Sequence, residues 1–336
     1  MEPAAEALET TAQNVLKYYD AVPAGITLIQ GDSIKTVWKV KTTAGNLCLK
    51  RLKQTMDKAR FSVNAQRYIK KSGGKVPGVM LSRDGSPIAE YNGQLFVLYE
   101  WLDGHDLNFE NRDDLKTAIQ GLAAFHAASR GYVPEEDCRI STKLGKWPEQ
   151  YRSMLNRMST WKSEAESRAS KPDYFAYLKY ADSMLDIGNL ALEALETSGY
   201  GALTAEGAPF IVLCHQDFGK GNVLVSGGGT FVLDLDGVTF DLPARDLRKL
   251  TGKNAEAANH WDRAAIGSIL EWYEAVFPLD SEVKKVLYAD LLFPHWFFGL
   301  VKNLFQSGKQ LKPSGVERTA KLEESKVELL KTLLEE

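Results

Sequence analysis

The stretch Leu213-Cys214-His215-Gln216-Asp217-Phe218-Gly219-Lys220-Gly221-Asn222-Val223-Leu224-Val225 constrains the fold of this chain more than any other. Apolar runs on either side bracket a loop that holds a His, an Asp and, five residues after the Asp, an Asn. The residues between Asp217 and Asn222 are enough for the loop to curl, so that both side chains face one point. Ser226-Gly227-Gly228-Gly229 follow as a flexible turn, and then Thr230-Phe231-Val232-Leu233-Asp234-Leu235-Asp236-Gly237. Two short apolar segments closed by glycines read as a β-hairpin. Its second strand delivers Asp234 to the end that carries the loop.

The pattern H-x-D-x-x-x-x-N has the spacing of a phosphotransfer catalytic loop. There the Asp accepts the proton of an attacking hydroxyl, and the Asn holds a metal ion on the nucleotide phosphates. A further carboxylate such as Asp234 is required, because a hard Mg²⁺ ion takes oxygen ligands and must neutralise phosphate charge. An ordinary hairpin with turn acids is the alternative. Base, amide and second acid falling in the required order speak against it.

Upstream, Leu8, Ala12, Val15 and Tyr19 recur at helical spacing, predicting a helix over 4–19 that Pro23 ends. Ile34 to Val40 is β-branched and aromatic and reads as a strand. Ala44-Gly45-Asn46 turns into a second strand, Leu47 to Leu52, on which Cys48, Lys50 and Leu52 share one face. An ammonium between apolar neighbours is costly without a partner. Either nucleotide phosphates supply that partner, or Lys50 snorkels to water. Before these strands, Gln30-Gly31-Asp32-Ser33-Ile34-Lys35 occupies the place of a phosphate-covering loop, with Gly31 and Ser33 as the contacting candidates. It has one glycine, and a plain β-turn fits equally well.

Residues 57–71 read as a helix with Phe61, Ala65, Tyr68 and Ile69 on its apolar side. In protein kinases this helix supplies a Glu to the strand lysine. Here it has none, and Asn64 and Gln66 are the nearest polar candidates. Lys50 is therefore expected to reach Asp234 in the metal-free state, so that Mg²⁺ must displace it. The rival is another acid, with Glu100 the first candidate. A carboxylate other than Asp234 within reach of Lys50 would defeat the displacement scheme.

Val76 to Leu81 and Gln94 to Glu100 complete a sheet, and Glu100-Trp101-Leu102-Asp103-Gly104 follows at once. A strand ending in an acid, an aromatic and a glycine suits a hinge whose backbone meets adenine, with Glu100 and Leu102 as nucleotide contacts. A strand-to-helix loop is the plainer reading. The expected division is residues 1–103, sheet-rich and phosphate-binding, and 104–336, mostly helical, with the catalytic loop and the hairpin. In the second part Leu115, Ile119, Leu122, Phe125 and His126 mark an apolar stripe, with His126 as a core residue. Residues 141–198 read as long, polar and helical. Lys143, Lys146, Arg152, Arg157 and Lys162 make its start basic, fit for an anionic substrate or simply for a solvated face. Asp246 caps a helix or braces the loop. Helices are also expected over His260 to Val276, around Phe293 to Phe298, and over Glu323 to Glu336.

A net charge of −3 gives no support for nucleic-acid binding. The start, Met1-Glu2-Pro3-Ala4-Ala5-Glu6, is acidic where a signal peptide would be basic. The apolar stretch Leu291 to Val301 is short and holds Pro294 and His295, which suits a core helix and not a membrane span. Cys48, Cys138 and Cys214 lie far apart without metal-ligand spacing and read as reduced thiols of a cytosolic protein.

The loop Leu213–Asn222, the hairpin end Leu233-Asp234-Leu235-Asp236 and Asp241–Leu247 resemble the aminoglycoside phosphotransferase branch of the protein kinase-like fold, which includes choline and homoserine kinases. Val37-Trp38-Lys39-Val40, Cys48-Leu49-Lys50-Arg51-Leu52 and Gly299–Leu304 extend the likeness. Nearly the whole chain resembles the CotS family of bacterial spore coat proteins. The resemblance implies a two-lobed α+β kinase-like fold, with ATP or another nucleoside triphosphate and Mg²⁺ as cofactors. It implies Asp217 as catalytic base, Asn222 and Asp234 as Mg²⁺ ligands, Lys50 as the phosphate lysine, His215 as a loop brace and Asp236 as an outer acid. The implied acceptor is a hydroxyl of a small molecule or saccharide. Synthesis in the cytoplasm, deposition in the spore coat and contact with other coat proteins are implied too. A structural coat protein that keeps the kinase fold and works through its surface is the alternative.

Overall fold

The structure, a computed structural model, describes residues 2–31 and 36–336, with backbone alone for 2–6. The chain forms two compact units: Met1–Thr142 with His215–Thr239, and Lys143–Cys214 with Phe240–Glu336. In chain order unit 1 begins with α1 (Glu2–Leu16), β1 (Pro23–Gly31), β2 (Thr36–Thr42), β3 (Gly45–Leu52) and α2 (Met56–Lys71). It continues through β4 (Val79–Met80), β5 (Ala89–Tyr91), β6 (Gln94–Glu100), β7 (His105–Asp106) and α3 (Arg112–Ser129). Unit 2 opens with α4 (Trp147–Glu166), α5 (Pro172–Thr197), α6 (Tyr200–Leu203) and β8 (Val212–Cys214). The chain returns to unit 1 for β9 (Val223–Ser226), β10 (Gly229–Val232) and a 3-10 turn at Leu235–Gly237. After β11 (Thr239–Asp241) come α7 (Ala244–Ala258), α8 (Arg263–Glu274), α9 (Ser281–Leu292), α10 (His295–Ser307), α11 (Pro313–Ser325) and α12 (Val327–Glu335).

The main sheet of unit 1 is antiparallel, in the order β1-β2-β3-β6-β4, with β5 also on β6. Strand alternation sorts its residues onto two faces. Trp38, Val40, Leu49, Phe96 and Leu98 pack with Ala12, Val15 and Leu16 of α1. Leu52, Leu95, Val97 and Tyr99 face the other way, against Ala59 and Val63 of α2, with Cys48 beside them. Cys48, Lys50 and Leu52 thus share the α2 face. β1 was not foreseen as a strand. Its residues are almost all exposed, so it lacks the buried alternation that marks β2.

Unit 1 includes residues 104–142. Residues 104–142 stay with the sheet for local reasons. The Tyr68 hydroxyl of α2 donates to Arg130 O at 2.7 Å, and the Tyr132 hydroxyl donates to Phe61 O at 3.0 Å. β7 pairs with β9, so the second sheet, β10-β9-β7, also belongs to unit 1. The stretch 141–198, expected to be helical, forms two helices, because Pro172 starts a new one after the turn at Ser167–Lys171. The terminal helix is likewise split, at Lys326.

In unit 2 buried charges are matched. The Asp290 carboxylate, which is fully buried, accepts from Tyr151, from Arg248 at 2.9 Å and from His295 at 2.9 Å. Glu323 accepts the Trp296 and Phe297 amides at the start of α10, and pairs with buried Lys326.

Gly104 marks where β7 meets β9. A Cβ there would lie 2.3 Å from Val225 O, a backbone atom that cannot swing away. Gly104→Ala is expected to lower stability by about 1–3 kcal/mol, the usual cost of overpacking. Gly25→Ala, with open space around its Cβ position, is the matched control in a thermal or urea denaturation series and should differ little from the parent.

Candidate active site

The site assembles within unit 1. β3 carries Lys50 on its α2 face, and the segment after β10 carries Asp234 and Asp236. The Lys50 Nζ lies 2.6 Å from Asp234 Oδ1 and 2.7 Å from Asp236 Oδ2. Lys50 is 7% exposed. Burial pulls its pKa down. The charges of Asp236 and then Asp234 outweigh that pull, and the net effect raises the pKa above the ordinary 10.5. The expectation that Lys50 meets Asp234 alone is therefore corrected: it meets two carboxylates, and the second is not Glu100. Glu100 instead accepts from Lys70 and from the Gly78 amide, each at 3.1 Å.

Backbone hydrogen bonds fix the acid-bearing segment on both sides. The His215 Nε2 and Leu233 O lie 2.7 Å apart, and the Asp217 amide donates to His215 Nδ1 at 3.3 Å. These contacts define a neutral imidazole with its proton on Nε2. Gln216 Nε2 donates to Gly237 O at 2.6 Å, and Gln54 Nε2 donates to Asp236 O at 2.5 Å. Asp234 sits in the left-handed region at φ 61°, and Gln216 does so at φ 66°. A non-glycine residue there costs about 1–3 kcal/mol, which the surrounding bonds must offset. Sequence reading named His215 and Asp236 but missed Gln54 and Gln216. Glutamine carries no charge or motif signal, although Gln216 lies inside the loop itself.

Asn222 Nδ2 donates to Asp217 O at 2.9 Å, and the Asn222 carbonyl accepts from Leu233 N at 2.9 Å. The loop and the hairpin end are thereby joined. The Asp217 side chain is exposed, and Phe218 beside it is buried and stacked near Phe109 at 6.3 Å. A cleft of about 520 Å³ is walled by Lys50, Asn222, Asp234, Asp236, Glu100, Leu102, Tyr99 and Ile29. Asp217 and Gly31 are not among its lining residues, and Ser33 lies outside the described residues. Gly31 closes β1 opposite Thr36. At the hinge, the amide of Glu100 donates to Gly78 O at 2.8 Å and that of Trp101 to Asn46 O at 3.3 Å. Among the described residues none hydrogen-bonds the backbone N–H or C=O of Leu102. Gln66, the polar residue of α2 at the cleft, gives its amide to Pro77 O at 2.7 Å.

The strand lysine, the Asp–Asn loop and the acidic hairpin end come together in a kinase-like fold. The chain belongs to the phosphotransferase enzyme family, whose sequence profile matches residues 25–279. Among relatives it is similar to Spore coat protein S of Bacillus subtilis, 30% identical over 292 residues, which span 86% of this chain and 82% of that one. The endospore coat-associated protein YutH of the same organism is 24% identical over 193 residues, 57% of this chain and 55% of its own. The fold matches that of an aminoglycoside phosphotransferase from Alicyclobacillus acidocaldarius, with a TM-score of 0.77, 19% identity and 96% of each chain covered. It also matches an amicoumacin kinase solved in complex with AMP-PNP, Ca²⁺ and Ami, with a TM-score of 0.61, 14% identity and 96% of each chain covered. The α+β kinase-like fold is thus that of the aminoglycoside phosphotransferases. No helix among the described residues is long and apolar enough to cross a membrane.

A raised lysine pKa has a definite sign in stability. Lys50 holds its proton more tightly when folded, so its contribution is full below about pH 10.5 and is lost as pH climbs through the folded value. Asp236→Asn removes one of its two acids. The variant is expected to lose about 1.5–3 kcal/mol at neutral pH and to begin its alkaline unfolding at lower pH than the parent. Urea melts at neutral and alkaline pH check both. An alkaline limb that does not move would show that Lys50 does not carry the linkage.

Proposed function

We propose that this chain transfers the γ-phosphoryl group of ATP, or of another nucleoside triphosphate, to a hydroxyl of a small molecule or saccharide, and that it works in association with the spore coat. The contact of Lys50 with Asp234 and Asp236, in one cleft with Asn222, carries the reading. In this reading residues 1–103 bind the nucleotide phosphates, and 104–336 bring the catalytic loop and the acidic hairpin. The coat association rests on the relatives named as coat proteins, and other coat proteins are then its partners.

The donor set suits a magnesium ion. Asp234 offers a carboxylate and Asn222 an amide oxygen, and the Asn222 nitrogen is already committed to Asp217 O. When bound, Mg²⁺ supplies neutralisation of the phosphate charge. Lys50 would donate to the α- and β-phosphates with Asp236 keeping it in the cleft, and Asp234 and Asn222 would hold the metal. No complete displacement of the lysine is needed. Leu102 meets the adenine edge with its backbone, and Glu100 anchors that hinge through Lys70 and Gly78. Gly31 and Ser33 are assigned to the phosphates by their place in the sequence alone. Asp217 takes the proton of the attacking hydroxyl, its backbone fixed by His215 and Asn222. The second reading, a coat protein acting through its surface, draws on the single glycine before β2 and on an α2 without a Glu.

Mg-ATP is expected to raise the melting temperature, since a ligand at about a hundred times its Kd adds roughly 2.7 kcal/mol. Asp234→Ala should remove the Mg²⁺-dependent part of that rise. Asp217→Ala should keep it and abolish ADP release. Equal loss of binding in both variants contradicts the division of roles, and no shift in the parent favours the surface reading.

A further inference from the structure

Unit 2 holds a second concavity, about 640 Å³, between α4 and α10 and the loop before α4. Lys143, Lys146, Arg157 and Lys302 line it, against a single carboxylate, Glu149. We infer that this groove binds a small ligand carrying two or more negative charges, as carboxylates or phosphates. The inference stands apart from phosphotransfer, because nothing in it needs a nucleotide.

Three observations support it. First, three of the four cations are uncompensated. Among the described residues no carboxylate pairs with Lys143, Arg157 or Lys302. On the same helix Arg152 pairs with Glu196 and Lys162 with Asp182 at 2.5 Å, so α4 neutralises its charges elsewhere. Second, the cations come from separate stretches of chain. A basic helix face alone is ordinary solvated surface. Here Lys302 of α10 and Lys143 of the loop close around Arg157 of α4, in a chain whose net charge is −3. Like charges gathered round a hollow repel one another, and low-dielectric walls focus their field on an incoming anion. Third, the floor is firm. Phe298 lines the groove, is 8% exposed and stacks on Trp161 at 5.3 Å, which stacks in turn on Phe305 at 5.1 Å. The volume falls within the range of roughly 300–1,000 Å³ typical of small-molecule sites.

The test is calorimetric titration of the full chain with fructose 1,6-bisphosphate, citrate and fructose. The bisphosphate, the tricarboxylate or both should bind and neutral fructose should not. Which anion binds identifies the charged group. The double variant Arg157→Gln/Lys302→Gln should weaken anion binding at least about tenfold, as losing charge-assisted contacts does. Lys162→Gln, which removes a charge already paired with Asp182, should leave it unchanged. Equal binding of fructose, equal weakening by Lys162→Gln, displacement of the anion by Mg-AMP-PNP, or no anion binding at millimolar concentration would each overturn the inference.

Discussion

The site depends on burying one ammonium group. Lys50 sits on the inner face of β3 between Cys48 and Leu52, and at 7% exposure it has lost its water. Removing a charge from water costs several kcal/mol unless partners replace the solvent. Asp234 and Asp236 do so at 2.6 and 2.7 Å, from a segment that is distant in sequence but local in the fold. Two carboxylates on one lysine leave that triad net negative, and this is the electrostatic condition a divalent cation answers. The same contact ties the first sheet to the acidic end of the hairpin.

Holding those acids requires the backbone around them to be over-determined. Asp234 takes a left-handed conformation that its side chain disfavours, and Gln216 does the same across from it. The hydrogen bonds of His215, Gln216 and Gln54 to the carbonyls of Leu233, Gly237 and Asp236 leave the segment little freedom to relax. Two of these three acceptors, Leu233 and Gly237, flank Asp234 and Asp236 in sequence, so the bonds hold the strained Asp234 from both sides.

Much of this was legible in the sequence, because the chemistry is spelled in charged residues at fixed spacing. Asp217, Asn222 and Asp234 announce themselves through the loop and hairpin pattern, and Lys50 through its apolar neighbours on a strand. α2 was legible to within a residue, since its apolar spacing is regular. Three things were not. β1 hides because an exposed edge strand carries no burial alternation. The attachment of residues 104–142 to α2 hides because Tyr68 and Tyr132 bind main-chain oxygens, contacts with no sequence signature. The second partner of Lys50 was visible only as an acid two residues past Asp234, and spacing alone does not say which way an acid turns inside a 3-10 turn.

The absent helix Glu changes how α2 communicates with the lysine. In a kinase with that Glu, moving the helix breaks an ion pair to the phosphate lysine. Here α2 reaches Lys50 through neutral bonds. Ser62 donates to Gln54 Oε1 at 3.2 Å, Gln54 donates to Asp236 O, and the Asp236 carboxylate meets Lys50. A shift of α2 would act on the backbone of residue 236 and leave the ion pairs themselves intact. A chain of neutral hydrogen bonds stores less energy than a desolvated ion pair. Helix position is therefore a weaker lever on Lys50 than its ion pairs with Asp234 and Asp236. In this arrangement the state of the lysine follows the two carboxylates more closely than the position of the helix.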